Sequence, residues 1–405
     1  MIKLIEIEGF KSFGSPAQAT PLDRLNFIVG ANAAGKSNLI GALRFLKDAV
    51  LQNVEYAVNE LGGAAEVRNK MPRQRSVEKP LRIKIVVDLD FDIEASHAMD
   101  ETLRNWHFEY ELTLDLRRHA EEVPIILCEE LTGSYASKDG ERRFHLRRDT
   151  DTVQLEDPTV AEVSRNRILS IPSQDAARLA LGVGFFSLPI VVLRSYIENW
   201  QFFNISPWAA RLPYKEGPDA MLGPSGENLA VVLKQIEKAG KRELEAVVSA
   251  LRTAVPGFRG IRTSRLPVEG KQAFQVLEDR IRTAVNPSAA SDGTIRLLAL
   301  AVITAWVSRS ASLIAIEEPE NGIHPHLAEQ LVDLLRQSAA RTQVLVTTHE
   351  PDFLDYLVPG EVLLVDKIDG LTKLHHATDI EQIEVYRRTF RLGELWVQGS
   401  LGGVP

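Results

Sequence analysis

The chain has 405 residues, 44% hydrophobic and 25% charged, which suits a soluble globular protein large enough for two lobes or one domain with an insertion. A net charge of -8 argues against a surface coated for nucleic acid, though it leaves room for a local basic groove. The single cysteine, Cys128, excludes an internal disulfide, and the longest strongly apolar run, Leu297 to Val307, is too short to span a bilayer.

At the N-terminus Ile2, Leu4, Ile5 and Ile7 alternate as a strand before Gly9, with none of the regions of a signal peptide, so a cytoplasmic setting without a membrane is expected. A second apolar run, Leu25 to Val29, stops at Gly30, and from Asn38 the spacing of Leu39, Ile40, Leu43, Leu46 and Val50 is helical. Between them, Gly30-Ala31-Asn32-Ala33-Ala34-Gly35-Lys36-Ser37 fits G-x-x-x-x-G-K-[ST] in the strand, loop, helix context that the motif requires. Small residues let backbone N–H groups wrap phosphates, and the helix N-terminus beginning near Asn38 adds favourable partial charge. Lys36 is expected to reach the β- and γ-phosphates and Ser37 to ligate Mg²⁺. ATP or GTP binding follows.

From residue 81 to 155 strand-like runs follow one another without helices, which suggests an antiparallel sheet. Residues 156–255 read as a mainly helical inserted subdomain, including Leu229 to Leu251. Weak strand signals from Ile261 to Val276 precede a helix (Thr294 to Val307), a strand (Ser312 to Ile316), a helix (Pro325 to Ser338) and a strand (Gln343 to Thr347). That alternation predicts an α/β half with parallel strands. The expected division is 1–155, 156–255 and 256–405, with no internal repeat and no coiled-coil arm.

"LIAIEEPENG" (Leu313 to Gly322) ends an apolar strand in two adjacent carboxylates, an arrangement that repulsion and lost hydration disfavour unless something positive lies opposite. Beside a phosphate loop the pair acquires roles: Glu317 as metal ligand and Glu318 as the group that orients and deprotonates water, since successive side chains at a strand end point differently. Pro319 stops the strand and Pro325 starts the next helix.

Three further segments, Ser291-Asp292-Gly293-Thr294 ahead of an apolar helix, His349 after Val344 to Thr348, and Gly9-Phe10-Lys11-Ser12-Phe13, occur with the phosphate loop and "EEP" in the order found in ABC-type ATPase heads. The sequence resembles the branch holding SMC, RecF-type and OLD-type proteins, over about residues 1–50 and 285–370, and within it the compact, arm-free ATPases of bacterial anti-phage systems. The resemblance implies a P-loop NTPase fold of ABC-head type, ATP and Mg²⁺ as ligands, and a homodimer closed by ATP. Ser291 and Gly293 then bind, in trans, the nucleotide of a second copy, His349 is the switch histidine, and Asn321 to His324 form the D-loop that crosses the interface. Two positions depart from the family pattern: Glu317 stands where an Asp is usual, and Asp292 replaces the first signature glycine. Gln74 and Gln52 are candidates for the glutamine of the Mg²⁺ shell.

The expected role is a switch or sensor that controls a separately encoded effector in phage defence. The alternative is a DNA-binding repair or maintenance ATPase, for which the basic clusters Arg68 to Arg75, Arg142-Arg143 with Arg147-Arg148, and Arg387-Arg388 with Arg391 are the support. "LGPSGENLAVVL" (Leu222 to Leu233) belongs to the resemblance without assigned chemistry, and the tail around Trp396 reads as exposed, either docking a partner or frayed.

Overall fold

The computed structural model describes residues 1–70, 79–95, 101–116, 124–150, 152–158, 166–171, 176–183, 187–217, 221–255, 257–266, 270–279 and 281–402. In chain order, β1 (Ile2–Glu8), β2 (Leu25–Val29) and α1 (Lys36–Leu51) come first. Then follow β3 (Leu81–Leu89), β4 (Glu101–Asp115), β5 (Ile125–Ser137), β6 (Gly140–Arg148), β7 (Thr152–Glu156) and β8 (Asn166–Ser170). Helices α2 (Leu188–Glu198), α3 (Pro207–Ala210), α4 (Leu229–Ala239) and α5 (Lys241–Ala254) lead to β9 (Phe258–Arg265) and β10 (Lys271–Glu278). The chain closes with α6 (Asp292–Ala305), β11 (Leu313–Glu317), α7 (Ala328–Ala339), β12 (Gln343–Thr348), β13 (Val362–Ile368), β14 (Leu371–His376) and α8 (Leu392–Val397).

These elements form two interleaved units. One comprises Met1–Asp23, Ala33–Trp200 and Val365–His375, the other Arg24–Asn32, Gln201–Leu364 and His376–Pro405, so the segment 156–255 is divided at Trp200.

The first unit holds an antiparallel sheet ordered β8-β7-β6-β5-β4-β3-β1. The two-residue period is visible in β3, where Leu81, Ile83, Ile85, Val87 and Leu89 are buried and the residues between them are not. Pairing Ile85 with Ile5 on one side and Tyr110 on the other keeps the apolar rows in register. Across the sheet Trp106 stacks on Tyr135 with ring centroids 4.8 Å apart.

The second unit is built on parallel strands in the order β11-β12-β2-β13, with Ile316 opposite Val346, Val346 opposite Phe27 and Phe27 opposite Val362. Every residue of β2 and β12 is buried, as expected of parallel strands covered on both faces. The helical stretch expected from Leu229 to Leu251 is two helices, α4 and α5, divided at Gly240, whose φ of +143° is open to glycine. The weak strand signals after Ile261 correspond to the antiparallel pair β9 and β10. Helix α6 is buried nearly all round, with Ile295 and Leu297 to Thr304 in the core, which explains its uninterrupted apolar run.

Trp396, expected to be exposed, is fully buried in the core of this unit. Helix α8 carries it inward because Gly393 packs against the chain so closely that a Cβ would lie 2.3 Å from the carbonyl oxygen of Pro351, while the Gly393 N–H donates to Asp355 at 3.0 Å. Among the described residues no helix is long and apolar enough to cross a membrane.

Candidate functional site

Helix α1 begins at Lys36 and has no acidic residue in its first turn, leaving the positive end of its dipole unopposed for an anion. Gly35 caps it at φ +119°, and a Cβ there would lie 2.1 Å from Thr372 Oγ1, so both backbone angle and space demand glycine. Thr372, on β14, donates its hydroxyl to the carbonyl of Ala34 at 2.7 Å and lies 2.6 Å from Ser12 Oγ. Asn38 in turn donates to Ser12 at 2.6 Å. The turn before α1 is therefore braced by the "GFKSF" segment and by a residue that no motif marks. Lys36 is buried and Ser37 is exposed.

In the second unit, β2, β12 and β11 end side by side at Val29, Thr348 and Glu317, and the carboxyl ends of neighbouring parallel strands are where α/β sheets bind ligands. Gly30 and Ala31 follow the first of these ends, His349 the second and Glu318 the third. Glu317 is the last residue of β11, opposite Thr347 and half-buried. Glu318 takes a left-handed conformation, φ +45°, with its N–H donating to the Thr347 carbonyl at 3.0 Å. Its carboxylate accepts a hydrogen bond from Asn321 Nδ2 at 2.7 Å and lies 3.3 Å from His349 Nδ1. The structure thus joins Glu318, Asn321 and His349. Asn321, expected to cross to a neighbour, here holds a carboxylate of its own chain.

Behind them, Glu320 is buried and accepts the Thr348 hydroxyl at 2.6 Å, while Thr348 accepts the Glu350 N–H at 3.1 Å. Burial raises the Glu320 carboxyl above its usual range against the smaller effect of the Thr348 bond. Burial also pushes the Arg296 guanidinium below its usual range, opposed first by the charge of Glu320 and then by Asp292 and Glu318.

At the start of α6, Ser291 is the N-cap, accepting the Thr294 N–H at 3.1 Å. Gly293 meets the loop after the strand end directly: a Cβ would lie 2.8 Å from the carbonyl oxygen of Gly322. Asp292 accepts a hydrogen bond from Arg211 at 2.5 Å.

Ser37, exposed in the first unit, and Glu317, half-buried in the second, each carry an oxygen donor of the kind a hard cation such as Mg²⁺ prefers. Gln52 does not fit. It follows the far end of the sixteen-residue α1, about 24 Å along the helix from its first turn. Gln74 lies outside the described residues, as do residues 71–75 of the first basic cluster. In the second cluster Arg142 pairs with Asp139 at 3.2 Å and Arg147 with Asp149 at 3.4 Å, and Arg148 is buried with its guanidinium on the Ala176 carbonyl. Arg387 and Arg391 lie 3.6 Å from Glu384 and Asp355 respectively. Much of this basic surface is answered internally. Thr372, Glu320, Thr348, Arg296 and Arg211 are the residues that sequence reasoning missed.

A family profile described as "AAA domain, putative AbiEii toxin, Type IV TA system" matches residues 25–355. A protein of Helicobacter pylori named ATP/GTP phosphatase is 21% identical over 372 residues, spanning 88% of this chain and 87% of that protein. The crystal structure of an Smc head bound to the C-terminal winged-helix domain of ScpA aligns with a TM-score of 0.53 at 16% identity, covering 93% of this chain and 97% of the head. An Smc head from Pyrococcus furiosus with an extended coiled coil, bound to the C-terminal domain of ScpA, aligns with a TM-score of 0.52 at 14% identity, covering 95% and 99%. The fold is that of an SMC-type head.

Proposed function

Because the chain belongs to the AAA-domain family matched over residues 25–355, and with it to the ATP-hydrolysing enzymes of SMC-head fold, we propose that it is an ATP-driven switch. Two copies pair head to tail around ATP, and hydrolysis parts them. Residues Gly30 to Asn38 hold the phosphates through backbone N–H groups and the Lys36 ammonium. Ser37 and Glu317 hold Mg²⁺, which when bound offsets charge on the phosphates. Glu318 accepts the proton of the attacking water, Asn321 fixes its carboxylate, and His349 meets the γ-phosphate beside it. Ser291 and Gly293 offer a hydroxyl and an open helix N-terminus to the nucleotide of the other copy.

The observation that carries this reading is Glu318. A non-glycine residue in the left-handed region persists only where its surroundings over-determine it, and such residues gather at active sites. The test is Glu318→Gln purified with ATP and weighed by native mass measurement. A nucleotide-dependent dimer or larger assembly is expected for this variant and none for Lys36→Ala. The same mass in wild type, Glu318→Gln and Lys36→Ala would remove the paired-copy mechanism.

We further place the switch in bacterial defence against phage, controlling a separately encoded effector. Support comes from the family description, which names a toxin of a toxin–antitoxin system, and from the two Smc heads, each solved with part of ScpA bound. Co-purification of a second protein from the native host is the expected result, and a chain that always isolates alone and fully active contradicts it.

A further inference from the structure

Asp292 places a carboxylate in the first turn of α6, between the two residues assigned to a phosphate. Uncompensated, that charge repels a triphosphate. Arg211 compensates it. Its guanidinium donates to Asp292 Oδ1 at 2.5 Å, to the carbonyl of Pro287 at 3.0 Å and to that of Ala290 at 2.9 Å, so one side chain binds the whole approach to α6. The Arg211 side chain is only 19% exposed whereas Asp292 is 68% exposed, which sets the positive charge behind the carboxylate and out of the way of a ligand in front.

Arg211 is itself held by "LGPSGENLAVVL". It follows the short helix α3, whose N-cap Ser206 donates its N–H to the Ser225 carbonyl at 3.0 Å, and Asn204 donates to Pro224 at 2.9 Å. Gly226, at φ +79°, lets that loop close against α3, where a Cβ would lie 3.3 Å from Ala210 Cβ. Asn228 locks the loop by accepting the Gly223 N–H and donating to the Met221 carbonyl, both at 2.8 Å. A segment without chemistry of its own therefore positions one guanidinium.

We infer that Arg211 is the positioning residue of the signature turn, cancelling the charge of Asp292 so that Ser291 and Gly293 can engage the triphosphate held by a second copy of this chain. The inference rests on the paired-copy reading above. It gives the Asp292 carboxylate a partner: the acid and its arginine act as one neutral unit.

The test measures the ATP concentration that half-saturates dimer formation in the Glu318→Gln protein, alone and carrying Arg211→Gln, Asp292→Asn or both. Arg211→Gln keeps a donor for the carbonyls but loses the charge, and is expected to need about ten- to a hundredfold more ATP. Adding Asp292→Asn is expected to restore the requirement to within about threefold of the Glu318→Gln parent, a rescue that loss of mere loop support does not allow. Unchanged dimerisation of Arg211→Gln overturns the inference, and so does a deficit that Asp292→Asn fails to repair. Failure of the Glu318→Gln parent to dimerise with ATP instead overturns the paired-copy reading.

Discussion

Glu318 sits in a backbone conformation that disfavours any L side chain by about 1–2 kcal/mol. Glutamine there keeps an oxygen for Asn321 and loses the base, so Glu318→Gln is expected to lower the ATP turnover rate about a hundredfold or more while its thermal midpoint shifts by less than about 2 °C. Thr372→Val removes the brace on Ala34 and the contact with Ser12, and is expected to raise the KM for ATP about tenfold with a smaller change in kcat. Glu320 allows a test by pH. Because burial raises its pKa, the stability contributed by the protonated carboxyl is fully present below the ordinary value of 4.5 and is lost as pH rises through the raised value. Glu320→Gln removes that loss and is expected to raise the melting temperature by about 2 °C near pH 8, with the gap closing near pH 4. A gap that is constant across this range, or reversed, contradicts the assignment. Lys36 stands out in the sequence because a motif fixes its spacing, and Glu317 and Glu318 because two adjacent carboxylates end an apolar strand. Thr372 and Arg211 do not, since each acts on a loop 338 or 81 residues away and neither residue type is distinctive alone.

At the scale of elements the two-residue and helical periods located most strands and helices, and apolar runs such as Leu297 to Ile303 gave the buried helices directly. The tail misled because glycines around Trp396 resemble a frayed end, whereas Gly393 is small in order to let α8 lie on the Pro351 backbone. Trp396→Ala is accordingly expected to destabilise the protein by about 3–5 kcal/mol in chemical denaturation, while a tail that merely docks a partner leaves stability unchanged.

At the scale of the molecule, the chain passes between its two units at residues 23/24, 32/33, 200/201, 364/365 and 375/376. Parallel pairing of strands far apart in sequence was implied by the alternation of elements, but this exchange of segments was not, because periodicity reports which face of a strand is buried and not against what. Strand β2 lies between β12 and β13, so a fragment spanning residues 201–405 lacks an interior strand of its own sheet. That fragment is expected to show no cooperative thermal transition by circular dichroism, in contrast to the full chain. The bond from Thr372 to Ala34 adds a consequence in time. On the ribosome, Ala34 is made 338 residues before the threonine that braces it, and at about 5–20 residues per second that interval lasts on the order of half a minute. A nascent chain therefore carries the nucleotide motif well before its loop is braced.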